Sequence, residues 1–191
     1  MIWTRRRVLQ AGGALAGASA AAVFSRPAAA VDKTDRRAPT PASAKRVSLL
    51  NLHTNERLEL EFFRGDSYVK DSLSAIQVLL RDFRNGEQHP IDPLVMDYLF
   101  DVARTAGVDP VFSVISGYRS PQTNEQLRER SNGVARHSLH MEGRAIDVRL
   151  AGVDCARLAD HARTMSRGGV GYYQKSDFVH LDTGAYRTWK G

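Results

Sequence analysis

One stretch in the second half of the chain decides the fold: Ser138-Leu139-His140-Met141-Glu142-Gly143-Arg144-Ala145-Ile146-Asp147. It places a histidine seven residues before an aspartate, and another histidine, His180, follows in the run Phe178-Val179-His180-Leu181-Asp182. Two imidazoles and one carboxylate are enough to bind a catalytic Zn²⁺ with one position left for water. A chain that brings these side chains to one point has to pair the strands that carry them.

Residue alternation supports this pairing. We predict strands at 145–150 and 177–182, and neighbouring strands lie ~5 Å apart, close enough for their side chains to share an ion. Asp147 and His180 must then point to the same face of the sheet. The opposite face would carry apolar side chains directed into the core, namely Ile146, Val148, Val179 and Leu181. Gly143 lacks a Cβ atom and lets the chain turn ahead of the first strand.

Outward from these strands, the sequence predicts an α+β fold, in which helices pack against an antiparallel sheet that carries the zinc site. The sequence predicts amphipathic helices at 71–83 and 92–106, a short polar helix at 121–130 and a further helix at 154–165. Alternation and short apolar runs between turn residues predict further strands at 46–53, 58–63, 111–116 and 168–173. The second helix has the expected end signals, with Asp92 as its cap, Pro93 first inside it and Gly107 just beyond it.

The N-terminal residues predict export from the cytoplasm. Arg5-Arg6-Arg7 matches a twin-arginine signal, an uncharged Ala- and Gly-rich stretch follows at 11–24, and Ala28-Ala29-Ala30 fits a small-residue cleavage site. We therefore interpret residues 1–30 as a twin-arginine signal peptide that is cleaved after Ala30. The alternative is an N-terminal anchor helix or a basic tail, but the order of these features favours a signal peptide.

One domain follows this leader. Residues 31–45 are rich in Ala, Pro, Thr, Lys and Arg and are predicted to form a flexible linker. Residues 46–191 are predicted to form the zinc-binding domain, a length that suits a single core. Its one cysteine, Cys155, excludes an intramolecular disulfide. No run after the leader is long enough to span a bilayer, and we expect a monomer.

Most of the net positive charge of the sequence comes from the predicted leader, residues 1–30. The full sequence has 27 Lys and Arg against 21 Asp and Glu, a formal net charge of +6. Residues 1–30 contain four arginines and no acid, which leaves 23 basic and 21 acidic residues, or +2, after cleavage. A nearly neutral mature chain lacks most of the electrostatic basis for binding nucleic acid.

The motif Ser138-x-His140-x-x-Gly143-x-Ala145-x-Asp147 resembles the signature of the zinc D-alanyl-D-alanine carboxypeptidase and murein endopeptidase superfamily, which also includes hedgehog-like and lysostaphin-type domains. Within it, the chain is similar to twin-arginine-exported periplasmic murein endopeptidases of the YcbK type. The similarity covers nearly all of the mature chain. Its strongest further parts are Leu50-Asn51-Leu52-His53-Thr54, Ile115-Ser116-Gly117-Tyr118-Arg119-Ser120, Gly168-Gly169-Val170-Gly171-Tyr172-Tyr173 and Phe178-Val179-His180-Leu181-Asp182-Thr183-Gly184.

The resemblance implies a zinc peptidase domain in which His140, Asp147 and His180 bind Zn²⁺. It also implies a periplasmic enzyme whose substrate is a peptide of peptidoglycan. Cleavage of crosslinks between two diaminopimelate residues is the activity associated with these relatives.

Four other residues are candidates for catalysis. Arg119 follows a strand end, where its guanidinium could polarise the scissile carbonyl or hold the oxyanion, although an arginine beside a turn can also simply face solvent. Asp177 is the first candidate for the general base, provided that it lies in the turn before its strand or at a bulge. Asp182 is the second, or it orients a histidine ligand. His137 could bind a substrate carboxylate, serve in proton transfer or be an ordinary surface histidine.

Two other functions remain open in the sequence. A D,D- or L,D-carboxypeptidase that trims murein stem peptides would use the same metal site. A non-catalytic wall-binding module would keep the fold without turnover, although the complete ligand set and the acid at Asp177 argue against it.

Overall fold

The chain folds around an eight-stranded sheet with helices packed against it. The structure, a computed structural model, describes residues 44–130 and 134–191. The strands are β1 Lys45–Asn51, β2 Arg57–Arg64, β3 Ser67–Tyr68, β4 Val111–Ser116, β5 Ala145–Leu150, β6 Gly169–Tyr173, β7 Phe178–Asp182 and β8 Arg187–Lys190. The helices are α1 Lys70–Leu79, α2 Pro93–Ala106, α3 Pro121–Arg130 and α4 Cys155–Thr164, and a short 3₁₀ turn spans Leu139–Glu142.

The predicted signal peptide, residues 1–30, lies outside the described residues. So does the predicted linker, residues 31–45, except for its last two residues, and β1 already begins at Lys45. No helix within the described residues is long and apolar enough to cross a membrane.

The strand order in the sheet is β3-β2-β1-β4-β5-β7-β6-β8. Four consecutive strands, β4, β5, β7 and β6, are antiparallel to their neighbours, as the sequence predicts for the strands of the site. β1 and β4 run parallel, and so do β6 and β8, which makes the sheet mixed rather than wholly antiparallel. The α+β class is confirmed, and the parallel β1–β4 pair follows from the long connection through α1 and α2.

One face of the sheet forms the hydrophobic core. The α2 and α4 helices contact β5 and β7 on this side. The core residues of these strands are the ones that alternation predicts, since the following side chains are at most 1% exposed: Ile146, Val148, Val179 and Leu181. The opposite face is left for Asp147 and His180, which are partners across the β5–β7 ladder.

Helix ends are set by local chemistry. The Asp92 side chain accepts a hydrogen bond from the Leu94 N–H, Pro93 is the first residue of α2, and Gly107 ends it with φ +72°. These observations confirm the end signals of the sequence. The first helix is shorter than predicted: it ends at Leu79, and Asp82 accepts backbone N–H bonds from Arg84 and Ser120 instead of continuing the helix.

Three elements were missed by sequence analysis: β3, β8 and the 3₁₀ turn. Each contains two to four residues, which is too short for a periodic pattern to show. Strand β7 begins at Phe178 because Asp177 has φ +51°, outside the extended region. Asp177 therefore lies in the turn before the strand.

Candidate metal centre

A single row of residues runs across the sheet through the site. Ser116 on β4 is the partner of Asp147, which is the partner of His180. His180 in turn is opposite Gly171 on β6, and Gly171 is opposite Trp189 on β8. Because cross-strand partners share a face, this row places the carboxylate, the imidazole and the indole side by side.

Three side chains of this region meet at one point. His140 Nε2 lies 3.1 Å from His180 Nδ1, and Asp147 Oδ1 lies 2.9 Å from His180 Nδ1 and 3.3 Å from His140 Nε2. Bonds of about 2.0–2.1 Å to a tetrahedral ion would separate two ligand atoms by roughly 3.3 Å. The triangle of buried ligand atoms therefore has the size that a zinc ion requires.

The other ring nitrogen of each histidine is held by the protein. His140 Nδ1 lies 2.7 Å from the carbonyl oxygen of Gly117, so the ring donates there and presents Nε2 to the site. His180 Nε2 lies 3.0 Å from the Asp182 carboxylate, so this ring presents Nδ1. Such partners fix the tautomer and orientation of metal-binding histidines. The donor set fits a zinc ion in chemistry as well as in size.

The 3₁₀ turn explains how His140 reaches the site from outside the sheet. The Ser138 side chain caps this turn by accepting the His140 N–H at 3.4 Å. Gly143 ends the turn with φ +65°, and a Cβ atom there would overlap the carbonyl group of Pro90. Only glycine suits this position, which confirms the predicted role of Gly143 in turning the chain into β5.

The position of Asp182 behind His180 suits the orienting role, the second of the two roles that the sequence left open. It is completely buried, and besides His180 it accepts the backbone N–H groups of Gly169 at 3.0 Å and Gly184 at 2.8 Å. Arg187 of β8 donates to both of its oxygens, at 2.6 and 3.1 Å. All these contacts hold the carboxylate in place behind His180, away from the cleft.

Neither Arg187 nor Trp189, the two residues of β8 that lie beside the site, was singled out by sequence analysis. The Trp189 ring lies 5.2 Å from the His180 ring, and its Nε1 donates to the Tyr173 hydroxyl at 3.1 Å. A Cβ atom on Gly171 would overlap the indole, so the glycine leaves room for Trp189 beside the ligand. The sequence predicts the strand that contains Gly171, but it does not predict β8, the strand that pairs with it there.

Electrostatics favour a cation at the three ligand atoms. Burial raises the pKa of Asp147, but the neighbouring His140 and His180 outweigh it and hold this pKa far below its usual range. Burial lowers the pKa of His140. Burial lowers the pKa of His180, but hydrogen bonds to the Asp147 and Asp182 carboxylates outweigh it and raise this pKa to about 9. Asp147 is therefore an anion and His140 a neutral imidazole near neutral pH, whereas His180 carries a proton that a bound metal would displace.

Arg119 lies where the sequence predicts, beside the ligands. Its Nη2 is 3.9 Å from Asp147 Oδ2, its side chain is 12% exposed, and it lines the cleft. Nη1 donates to Asn124 at 3.4 Å, while the buried Nε has no hydrogen-bond partner among the described residues. A guanidinium that lines the cleft next to the candidate metal ligands is suited to binding a substrate oxygen.

The two remaining candidates lie in different places. His137 is exposed and lines the cleft. Asp177 is in the turn that the base role requires, but its side chain is 68% exposed and pairs with Arg149 at 3.2 Å, and it is not among the cleft-lining residues. The structure thus brings His137, and not Asp177, to the cleft with the ligands.

The site opens into a cleft of about 910 Å³ that crosses the sheet face. Its other lining side chains differ between the two ends. Leu52, His53 and Arg84 lie on the β1 side, and Tyr173, Phe178 and Trp189 lie on the β6–β8 side. The metal ligands lie between them, so an extended chain could cross the site.

A His–Asp–His set that opens into a long cleft on an α+β sheet is typical of metal-dependent hydrolases. Residues 39–189 match the family described as peptidoglycan L,D-endopeptidase MepK, and the chain belongs to this family. The family resemblance that the sequence suggests is thereby confirmed.

Curated relatives agree over almost the full length. The chain is 39% identical over 185 residues to the peptidoglycan L,D-endopeptidase MepK of Escherichia coli K12, which covers 97% of this chain and 96% of that protein. It is also 39% identical over 146 residues to a probable peptidoglycan L,D-endopeptidase MepK of Haemophilus influenzae, covering 76% of this chain and 78% of the relative. No solved structure matches the chain significantly.

Proposed function

We propose that the protein is a zinc-dependent peptidoglycan endopeptidase that cleaves peptide crosslinks, in particular those between two diaminopimelate residues. The observation that carries this proposal is the triangle of His140, Asp147 and His180 ligand atoms inside the cleft. The names of the relatives support the substrate class, because each is a peptidoglycan L,D-endopeptidase or a probable one.

Different residues of the chain would support different steps of amide hydrolysis. When bound, zinc supplies a Lewis acid that polarises the scissile carbonyl and acidifies water. Arg119 would donate to the carbonyl oxygen as negative charge develops there. Asp182 would keep His180 in the orientation that presents Nδ1.

Two residues, His137 and Asp177, are candidates for the group that accepts a proton from the attacking water. His137 lines the cleft, and an imidazole can take a proton near neutral pH and return it to the leaving amine. Asp177 would have to leave Arg149 to act on the same water. We therefore favour His137 as the proton acceptor.

The open cleft favours an endopeptidase over a carboxypeptidase, because lining residues continue on both sides of the ligands. A crosslinked peptide extends in both directions from its scissile bond, whereas a terminal residue needs only one side. We further propose that residues 1–30 direct the chain through the twin-arginine pathway to the periplasm and that 46–191 is the catalytic domain.

Product analysis tests the proposed activity. Purified crosslinked muropeptide dimers, joined either through two diaminopimelates or through D-alanine and diaminopimelate, are incubated with the zinc-loaded protein. We expect the first kind of dimer to be converted to monomers. Release of terminal D-alanine alone would show the carboxypeptidase, and binding of intact dimers without turnover would show a wall-binding module.

A further inference from the structure

The cleft has a strong excess of positive charge. Among its lining residues are four arginines, at positions 84, 119, 149 and 187, and a single carboxylate, that of Asp147. Because Asp147 belongs to the metal ligands, it is not available to balance the arginines. The partners of each guanidinium therefore show which of them can contact a substrate.

Two of the arginines use their donors within the protein. Arg149 donates to the backbone carbonyl groups of Ser176 and Asp177 and pairs with the Asp177 carboxylate. Arg187 donates to both oxygens of Asp182. These two side chains hold the turn before β7 and the carboxylate behind His180.

Arg84 differs from them. Among the described residues, its guanidinium donates no hydrogen bond, and its nearest carboxylate oxygen, Asp82 Oδ1, is 3.9 Å away. That carboxylate already accepts the backbone N–H groups of Arg84 at 3.1 Å and Ser120 at 2.9 Å. Arg84 thus faces the cleft with its side-chain donors unused and its side chain 35% exposed.

The guanidinium of Arg84 is nevertheless held in position. It lies 4.1 Å from the centre of the Phe83 ring, and Phe83 stacks on His53 with ring centres 3.7 Å apart and planes at 10°. Stacking on an aromatic face fixes the plane of a guanidinium and leaves its edge donors available. Burial lowers the pKa of Arg84, the Asp82 carboxylate offsets part of this effect, and the positive charge of Arg119 adds to it.

The position of Arg84 makes the two ends of the cleft chemically different. The residue follows α1 and lines the cleft together with Leu52 and His53, just beyond the end of β1. In the sheet, β1 lies on one side of the ligand-bearing strands β5 and β7, and β6 and β8 lie on the other. A cation and an aromatic wall therefore flank the metal ligands on opposite sides.

We propose that Arg84 forms a carboxylate-binding subsite on the β1 side of the metal centre, which recognises a free carboxylate of the peptide and sets its direction across the cleft. This inference rests on the proposed function, since it assigns one half of a crosslinked peptide to each side of the ligands. A forked guanidinium matches a carboxylate in two parallel hydrogen bonds, and a planar stacked arginine loses little freedom on binding.

The test compares Arg84→Gln and Arg84→Lys with the wild type on two substrates, a crosslinked stem-peptide dimer with free carboxylates and the same dimer with those carboxylates amidated. Losing a charge-assisted bond should raise KM of Arg84→Gln for the free-carboxylate dimer about 10- to 100-fold, with kcat changed less than about threefold. KM of Arg84→Lys for the free-carboxylate dimer should lie between those of the wild type and Arg84→Gln. KM for the amidated dimer should be the same in all three proteins.

The control is Arg81→Gln. Arg81 is close in sequence, but it pairs with Glu56 at 2.8 Å and does not line the cleft. This variant removes the same charge and should leave both KM values unchanged. If KM for the free-carboxylate dimer rose equally in Arg81→Gln and Arg84→Gln, net charge and not a subsite would attract the substrate. That result would overturn the proposal.

Calorimetric binding of an uncrosslinked stem peptide separates this inference from the proposed activity. If the wild type cleaves no dimer but still prefers the free-carboxylate peptide over its amide by tenfold or more, and Arg84→Gln loses that preference, the subsite stands and the proposed activity fails. If the wild type shows no preference, or Arg84→Gln keeps it, the subsite is wrong whether or not the protein hydrolyses crosslinks.

Discussion

Individual side chains determine which protonation states the site can hold. Asp147 is kept anionic by two histidines, and each histidine has its outer nitrogen held by a defined acceptor. Sequence spacing and the resemblance together predicted that His140, Asp147 and His180 lie close to one another, and the structure brings these three side chains together. Sequence spacing was not enough to place the proton acceptor, which depends on the direction in which a turn residue points.

His137 and Asp177 can be separated by paired substitutions. We expect His137→Gln to lower kcat for dimer cleavage by about 10²-fold or more, the usual contribution of general acid–base catalysis. Asp177→Asn should change kcat less than about fivefold, because this exposed carboxylate pairs with Arg149 outside the cleft. Steady-state kinetics with metal content measured alongside decides between them. The reverse ranking would restore Asp177 as the base.

Strands and turns determine how firmly the ligands are held. Helix α2 and the strands β4 and β5 were predictable because caps, apolar runs and alternation all agree for them. The strand β8 was not predictable, since four residues between a turn and the end of the sequence carry no clear period. Its function depends on neighbours across the sheet, where Arg187 reaches Asp182 and Trp189 covers His180.

We therefore expect Arg187→Met to weaken zinc binding by up to about 10-fold, because it loosens Asp182, and losing such an outer partner of a histidine ligand outright costs about 10- to 100-fold. Competition with a chromophoric chelator would measure the dissociation constant, and the visible spectrum of the Co²⁺-loaded protein would report the ligand geometry. Arg163→Met is a suitable control, because Arg163 pairs with Asp160 on α4, outside the cleft. Unchanged affinity and spectrum in Arg187→Met would show that β8 only completes the sheet.

In the proposed function, the whole molecule combines an N-terminal export signal with a site that cleaves peptidoglycan. Residues 1–30 contribute +4 of the net charge of +6, so the remaining chain has little net charge with which to attract nucleic acid. The charge that matters for substrate is local, in the cleft, where arginines outnumber the single carboxylate. Composition alone averages over the chain and could not reveal this excess.

Replacing both Arg5 and Arg6 by lysine should abolish export, because the twin-arginine pathway reads the pair itself and not only its charge. Cell fractionation should then find the full-length chain in the cytoplasm, while the wild type yields a periplasmic chain that begins at Val31. A periplasmic double-lysine variant of mature size would rule out this export route.

The account depends most of all on one metal ion bound by His140, Asp147 and His180. The most direct measurement determines zinc content and cleavage of diaminopimelate-linked dimers together, in the wild type, His140→Ala and His180→Ala, with His161→Ala as the control on the surface of α4. We expect about one zinc per chain and cleavage in the wild type and the control, and neither in the two ligand variants. Full cleavage by a zinc-free His140→Ala protein would contradict the account.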